Sequence, residues 1–224
     1  MVDDSGKILR FEDTGPAPAP VRPPNFEFSV TRVLQDGDAM FVKAVHEPVA
    51  GEGASWLAMS LIQADANGLM SVKRQVSARY LQSDCLCASL AACVLPNGPK
   101  SETAASKALV RGFVGAVMEQ DYAARIGEFV DRDVFVSHTP GGCSRPDRLE
   151  DFIARRRQRP GMRYHGIDDL VGEGSFVALF SCFDIEGTHY RACDLFRIAG
   201  ERIAEHWDVI ETVAAHTVAH NDQA

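Results

Sequence analysis

Near residue 205 the chain reads Glu205-His206-Trp207-Asp208 inside an otherwise apolar run, ERIAEHWDVIE. In an extended strand His206 and Asp208 are two apart and share a face. Asp194 lies on the preceding predicted strand, across the Ala199-Gly200 turn, and can be brought to the same region. His138, in a separate segment, is the fourth candidate. Two carboxylates and two imidazoles around one site are suited to taking a proton from beside a carbonyl and returning it elsewhere. Desolvation would raise a carboxylate's pKa toward that of a useful base, and a histidine could polarise the carbonyl oxygen or shuttle the proton. The same residues also fit a purely structural reading. His206 and Asp208 could form a satisfied buried pair, and Asp194 could pair with Arg191 or Arg197.

Other chemistries have weaker support. His138, His206 and Asp208 are metal-ligand types, but no H-x-H or H-x-x-x-H spacing joins them, so no metal is expected. No glycine-rich phosphate loop occurs, and no cofactor is implied. Cys85 and Cys87 form C-x-C rather than a C-x-x-C pair. Cys93, Cys143, Cys182 and Cys193 complete a set expected to be reduced, cytoplasmic thiols. His216 and His220 are four apart in a polar tail expected to be loose.

The elements that must position these groups fall into two blocks. Residues 1–25 end in a proline-rich run, TGPAPAPVRPPN, that reads as an extended linker. Residues 26–96 read as a strand-rich, helix-poor unit, and 97–213 as helices followed by a long antiparallel meander, an α+β pattern. Ser101 is placed to cap a helix whose apolar stripe is Leu109, Val110, Phe113, Val114, Val117 and Met118. A shorter helical piece carries Tyr122, Ile126 and Phe129, and a third helix is expected over 147–157. Residues 133–138 look like a short extended segment. Strands are predicted over 162–170, 175–184, 188–198 and 202–211, with glycine-bearing turns between them. Residues 32–47 parallel 168–183, and 56–76 parallel the segment beginning at 190. That alignment sets Ser60 against Asp194, Lys73 against His206 and Gln75 against Asp208, so the strand pattern returns without its acid–base groups.

Bulk properties narrow the partners. A formal net charge of −8 argues against nucleic acid, whose phosphates need a basic face. The basic run Arg155–Arg159 reads as a solvated helix end. No eighteen-residue apolar stretch is available to span a membrane, and MVDDSGKILRF lacks the apolar core of a secretory signal.

Two motifs carry a family resemblance. FVSHTP, residues 135–140, resembles an aromatic-x-x-His-x-Pro stretch. CDLFRIAGERIAEHWDVIE, residues 193–211, resembles an Asp-apolar-Phe-Arg…Gly-x-Ile-x-Glu-His-Trp-Asp signature. Both are features of the SnoaL-like polyketide cyclases of the nuclear transport factor 2-like superfamily, and residues 97–114 resemble the linker and first helix of tandem members. The resemblance implies a curved antiparallel sheet wrapped by three helices into a cone with an apolar pocket. It implies a small hydrophobic carbonyl-containing ligand and a cofactor-independent cyclase, isomerase or hydrolase, or else a non-catalytic ligand-binding or protein-interaction module. Tyr190, Phe113, Phe135, Tyr122 and Trp207 are the candidate pocket wall, although Trp207 lies on the opposite strand face from His206 and suits sheet packing better. The family's habit of pairing through sheets implies either an internal pseudo-dimer or a homodimer. Without helices of its own, the first sheet is expected to leave Phe41 and Met59 uncovered.

Overall fold

The computed structural model describes residues 26–49, 55–80, 95–118, 125–138, 148–149 and 161–213. They form two sheets and one α-helix. β1 (Phe26–Asp36), β2 (Ala39–Pro48), β3 (Ser55–Ala64) and β4 (Met70–Tyr80) make a four-stranded antiparallel meander. α1 (Thr103–Met118) follows, then β5 (Val136–His138). β6 (Arg163–Glu173), β7 (Phe176–Ile185), β8 (Thr188–Ala199) and β9 (Arg202–Thr212) make a second meander. β5 joins its edge in parallel with β9, giving the order β5-β9-β8-β7-β6.

Strand bounds in the second meander follow the turn chemistry. Glu186 and Gly187 adopt φ of 50° and 80°, and Gly200 and Glu201 adopt 56° and 65°. Two successive left-handed residues match the right-handed twist of a hairpin, so each pair reverses the chain in two residues. The β8–β9 turn is thus Gly200-Glu201, one residue later than expected from sequence. The helix start also differs. Ser101 lies inside a 3-10 turn, Lys100–Glu102, and α1 begins only at Thr103. Of the expected second helix, the described residues show helical Arg125 and a 3-10 turn at Ile126–Glu128; Tyr122 and nearly all of the expected third helix lie outside the described residues.

The sheets pack face to face. Side chains alternate along each strand, so each sheet offers one apolar set to the other. Leu34, Phe41, Leu57, Met59, Leu61 and Val76 meet Phe176, Phe180, Leu195, Trp207 and Val209 in one buried cluster. Phe41 sits edge-on to Phe180, ring centroids 6.3 Å apart. Phe41 and Met59 are therefore fully buried, not uncovered as expected: the partner that covers them is the second sheet of the same chain. Polar staples rim this core. Lys73 meets Asp169 at 2.8 Å, with Arg74 on the same carboxylate, and Asp36 receives both Lys107 Nζ at 2.6 Å and the Gly172 N–H at 2.9 Å.

The opposite face of the second sheet holds a separate core. Val110, Phe113 and Val114 of α1 pack there on Val177, Leu179, Phe196 and Ile203, with Ile126, Phe135 and Leu149. Leu109, Val110, Phe113 and Val114 of the stripe read from the sequence thus lie on the face that closes over this sheet.

Candidate functional site

Strand alternation decides which candidates meet. On β8, Tyr190, Asp194 and Phe196 fall on the helix-covered face; on β9, His206 and Asp208 do. Asp194 and Asp208 are direct cross-strand partners. Two carboxylates so placed repel each other, an arrangement a sheet adopts at a cost. His206 spans to Asp194, with Nε2 2.8 Å from Oδ1. Its other nitrogen, Nδ1, lies 3.0 Å from Ser137 Oγ on β5. The parallel register sets Ser137 beside His206 and makes this contact possible. Because the carboxylate can only accept, the network assigns the imidazole proton to Nε2, and the Ser137 hydroxyl then donates to Nδ1. The Phe196 ring stacks on the imidazole at 4.9 Å. Ser137, His206 and Asp208 are buried, while the Asp194 side chain keeps 24% of its surface exposed. The chain Ser137–His206–Asp194 thus ends at a carboxylate that still reaches solvent.

Tyr164 on β6 belongs to the same region. Its ring packs against the helix-side core, and its hydroxyl is buried with no formed hydrogen bond among the described residues. Burial pushes its pKa up to about 12, with Asp194 adding to the rise and the nearby Ser181 hydroxyl only partly offsetting it. Tyr164 therefore stays a neutral donor across the ordinary pH range.

Aromatic walls flank these groups. Phe113 on α1 meets Phe196 edge-on at 5.6 Å. Tyr190 stacks on Phe183 at 5.4 Å, and Phe135 is buried in the core beneath.

His138 and Trp207 are not brought to this cluster. β5 alternates like any strand, so Ser137 takes the helix side and His138 the other. There His138 stacks on Trp207, centroids 5.0 Å apart and planes at 13°. Lys43 from the first sheet lies over the same indole at 5.0 Å. Burial first, with help from Lys43 and His206 and against the pull of Glu205, lowers the His138 pKa to about 4. Both residues serve the junction between the sheets instead.

Ser137 and Tyr164 carry polar atoms in this region yet are not singled out by the sequence pattern. Ser137 stands inside the quoted FVSHTP motif, next to the histidine that drew notice. Its link to His206 spans 69 positions and depends on a parallel pairing that periodicity cannot reveal. Tyr164 sits beside a β-bulge, where the face of a side chain cannot be counted from its neighbours.

Comparison with known proteins bears on the second sheet. Residues 110–206 match the model of the SnoaL-like domain. No curated protein matches the chain. Among solved structures the chain is similar to wild-type IdmH, a candidate polyketide cyclase from Streptomyces antibioticus, at 19% identity over 47% of this chain and 91% of that one, TM-score 0.42. It is similar to a candidate ketosteroid isomerase from Kribbella flavida at 11% identity over 55% of this chain and 93% of that one, TM-score 0.45. A third likeness is to an LEH-like epoxide hydrolase of M. tuberculosis, at 18% identity over 49% and 85% of the two chains, TM-score 0.40. The span that matches the SnoaL-like domain begins within α1, ends at His206 and contains Ser137, Tyr164 and Asp194.

Proposed function

We propose that the second sheet carries an enzyme site that moves protons on a small, largely apolar carbonyl compound without a cofactor, as an aldol-type cyclase, an isomerase or a hydrolase does. The observation that carries this reading is the chain from Ser137 through His206 to a partly exposed Asp194, with the buried Tyr164 hydroxyl in the same region. In this scheme one Asp194 oxygen stays bonded to His206 Nε2–H, which holds the carboxylate in place. The other takes the proton α to the carbonyl. The electron pair left behind moves onto the carbonyl oxygen, where Tyr164 donates a hydrogen bond to the growing charge. The protonated Asp194 then returns its proton to carbon or to the new oxygen. Asp208, opposite Asp194, is the alternative base.

The test needs no natural substrate. A panel of small ketones and β-dicarbonyl compounds in D2O, followed by proton NMR, reads loss of the α-proton signal. The wild-type chain should exchange at least one of them. Asp194→Asn and His206→Ala should reduce that exchange by about 100-fold or more, the ordinary worth of a positioned base, with melting temperatures near wild type. Exchange that persists in Asp194→Asn would remove Asp194 from the role. Ligands that raise the melting temperature but never exchange would mark a binding module.

A further inference from the structure

On the opposite face of the second sheet from Asp194, at the β7–β8 turn, three ligand-type side chains converge. His165 Nε2 lies 2.8 Å from Asp184 Oδ2, and His189 Nδ1 lies 2.7 Å from Asp184 Oδ1. The two imidazole rings are 5.6 Å apart. One ligand atom from each residue falls within 4.8 Å of the others. We propose that His165, Asp184 and His189 form a binding site for a divalent transition ion of the zinc type.

Backbone features hold the three together. Asp184 and His189 are direct cross-strand partners, fixed by the two-residue turn at Glu186-Gly187. His165 falls in a β-bulge between Tyr164 and Gly166, so it stands outside the β6–β7 ladder beside Asp184. Each of the three side chains is about one-third exposed, which leaves an entry path for an ion.

The donor set is two neutral imidazole nitrogens and a carboxylate oxygen, the ligand types of a zinc site with open positions for water. Zinc bonds of about 2.0–2.2 Å place neighbouring ligand atoms a little over 3 Å apart. The histidine–aspartate distances open to that spacing when the carboxylate withdraws by roughly half an ångström. Ordinary hydrogen bonding would explain either histidine alone. It does not require two imidazoles from different strands to turn their nitrogens on one carboxylate.

The location gives the ion a purpose. Asp184 follows Phe183 and His189 precedes Tyr190, and those two rings stack on the other face of the sheet. An ion at this point ties β6 to the β7–β8 hairpin directly behind that aromatic pair. This assignment does not depend on the carbonyl chemistry proposed above.

The test uses the full chain after chelator treatment, with Co2+ alone read by absorption and Zn2+ alone read by calorimetry and thermal melting. The expected result is one tight ion per chain, no thiolate-to-cobalt charge-transfer band, and a melting temperature raised by Zn2+. His189→Ala and Asp184→Asn should each weaken binding by about tenfold or more and abolish the thermal shift. Should either variant fail to fold, His165→Gln on the exposed bulge serves in its place. His216→Ala with His220→Ala should leave binding unchanged. A thiolate band, loss of binding in the His216/His220 variant, or wild-type affinity in the three site variants would overturn the proposal.

Discussion

A buried hydroxyl without a formed hydrogen bond costs folding free energy, since it gives up water and gains no partner. Tyr164 carries such a group, close enough to Asp194 for the carboxylate to add to the rise in its pKa. Removing it should therefore separate stability from activity. Tyr164→Phe is expected to leave unfolding free energy unchanged or raised by about 1 kcal/mol in urea titrations. It should still lower α-proton exchange, because the donor to the carbonyl oxygen is gone. A loss of stability together with exchange would make Tyr164 a packing residue. His138 yields the opposite kind of prediction. Its pKa is lowered to about 4 in the folded chain, against about 6.5 when unfolded. Between those values the unfolded state binds the extra proton, so stability is fully present above pH 6.5 and is lost as pH falls toward 4. The loss should be on the order of 3 kcal/mol, and His138→Phe, which can keep the stack on Trp207, should flatten it in melts taken across that range.

At the scale of elements, the second meander was legible because its turns were. Predicted strands at 188–198 and 202–211 became Thr188–Ala199 and Arg202–Thr212, since Gly187 and Gly200 mark sites where the chain must take positive φ. His206 and Asp208 could be set on one face from alternation alone, whereas setting Asp194 beside them needs the β8–β9 register, which pairs it with Asp208. Ser137 and His138 could not be assigned their faces, because that needs the pairing of β5 with β9, which no local pattern encodes. The linker before α1 was equally opaque. It reads as a break, LPNGPK, yet Asn97 links both sheets. Its side chain accepts from Arg32 at 2.7 Å and donates to Val33 O and Glu173, and its carbonyl accepts from Ser175 N–H at 2.6 Å. Gly174 is what lets the linker lie so close. A Cβ there would stand 2.0 Å from Asn97 O, at a φ of +58°. Gly174→Ala should cost roughly 2–3 kcal/mol in urea unfolding, because the clash is with backbone that Arg32, Val33 and Glu173 pin in place. An unchanged midpoint would show that the linker is free to move aside.

At the scale of the whole molecule, the question is what covers the outer face of a SnoaL-like sheet. Here a second sheet of the same chain does so, through Phe41, Leu57, Met59 and Leu61 against Phe176, Phe180, Leu195 and Trp207. Positions that the sequence alignment equates also hold matching places. Ser60 faces Gln75 across β3–β4 just as Asp194 faces Asp208 across β8–β9. We infer that the first sheet is a related unit that kept its packing face and lost its acid–base groups. Lys73, aligned with His206, sits at the bulge between the Leu61 and Ile62 pairings, so this position is not held in the ladder as His206 is. If the first sheet fills the place of a partner, the chain has no need of a second copy on that face. Light scattering should then give one chain's mass, 24.4 kDa, at micromolar concentration. Phe41→Ala removes a fully buried ring from the junction and should cost about 3–5 kcal/mol. The manner of loss matters more than its size. If the sheets fold as one unit, the variant's urea transition stays single and reaches the α1-covered core and the inter-sheet core together. A first transition that strips the sheet of β1–β4 while the second sheet stays folded would show two independent units. The freed face of Phe176, Phe180 and Trp207 would then be exposed, and the variant should associate as its concentration rises.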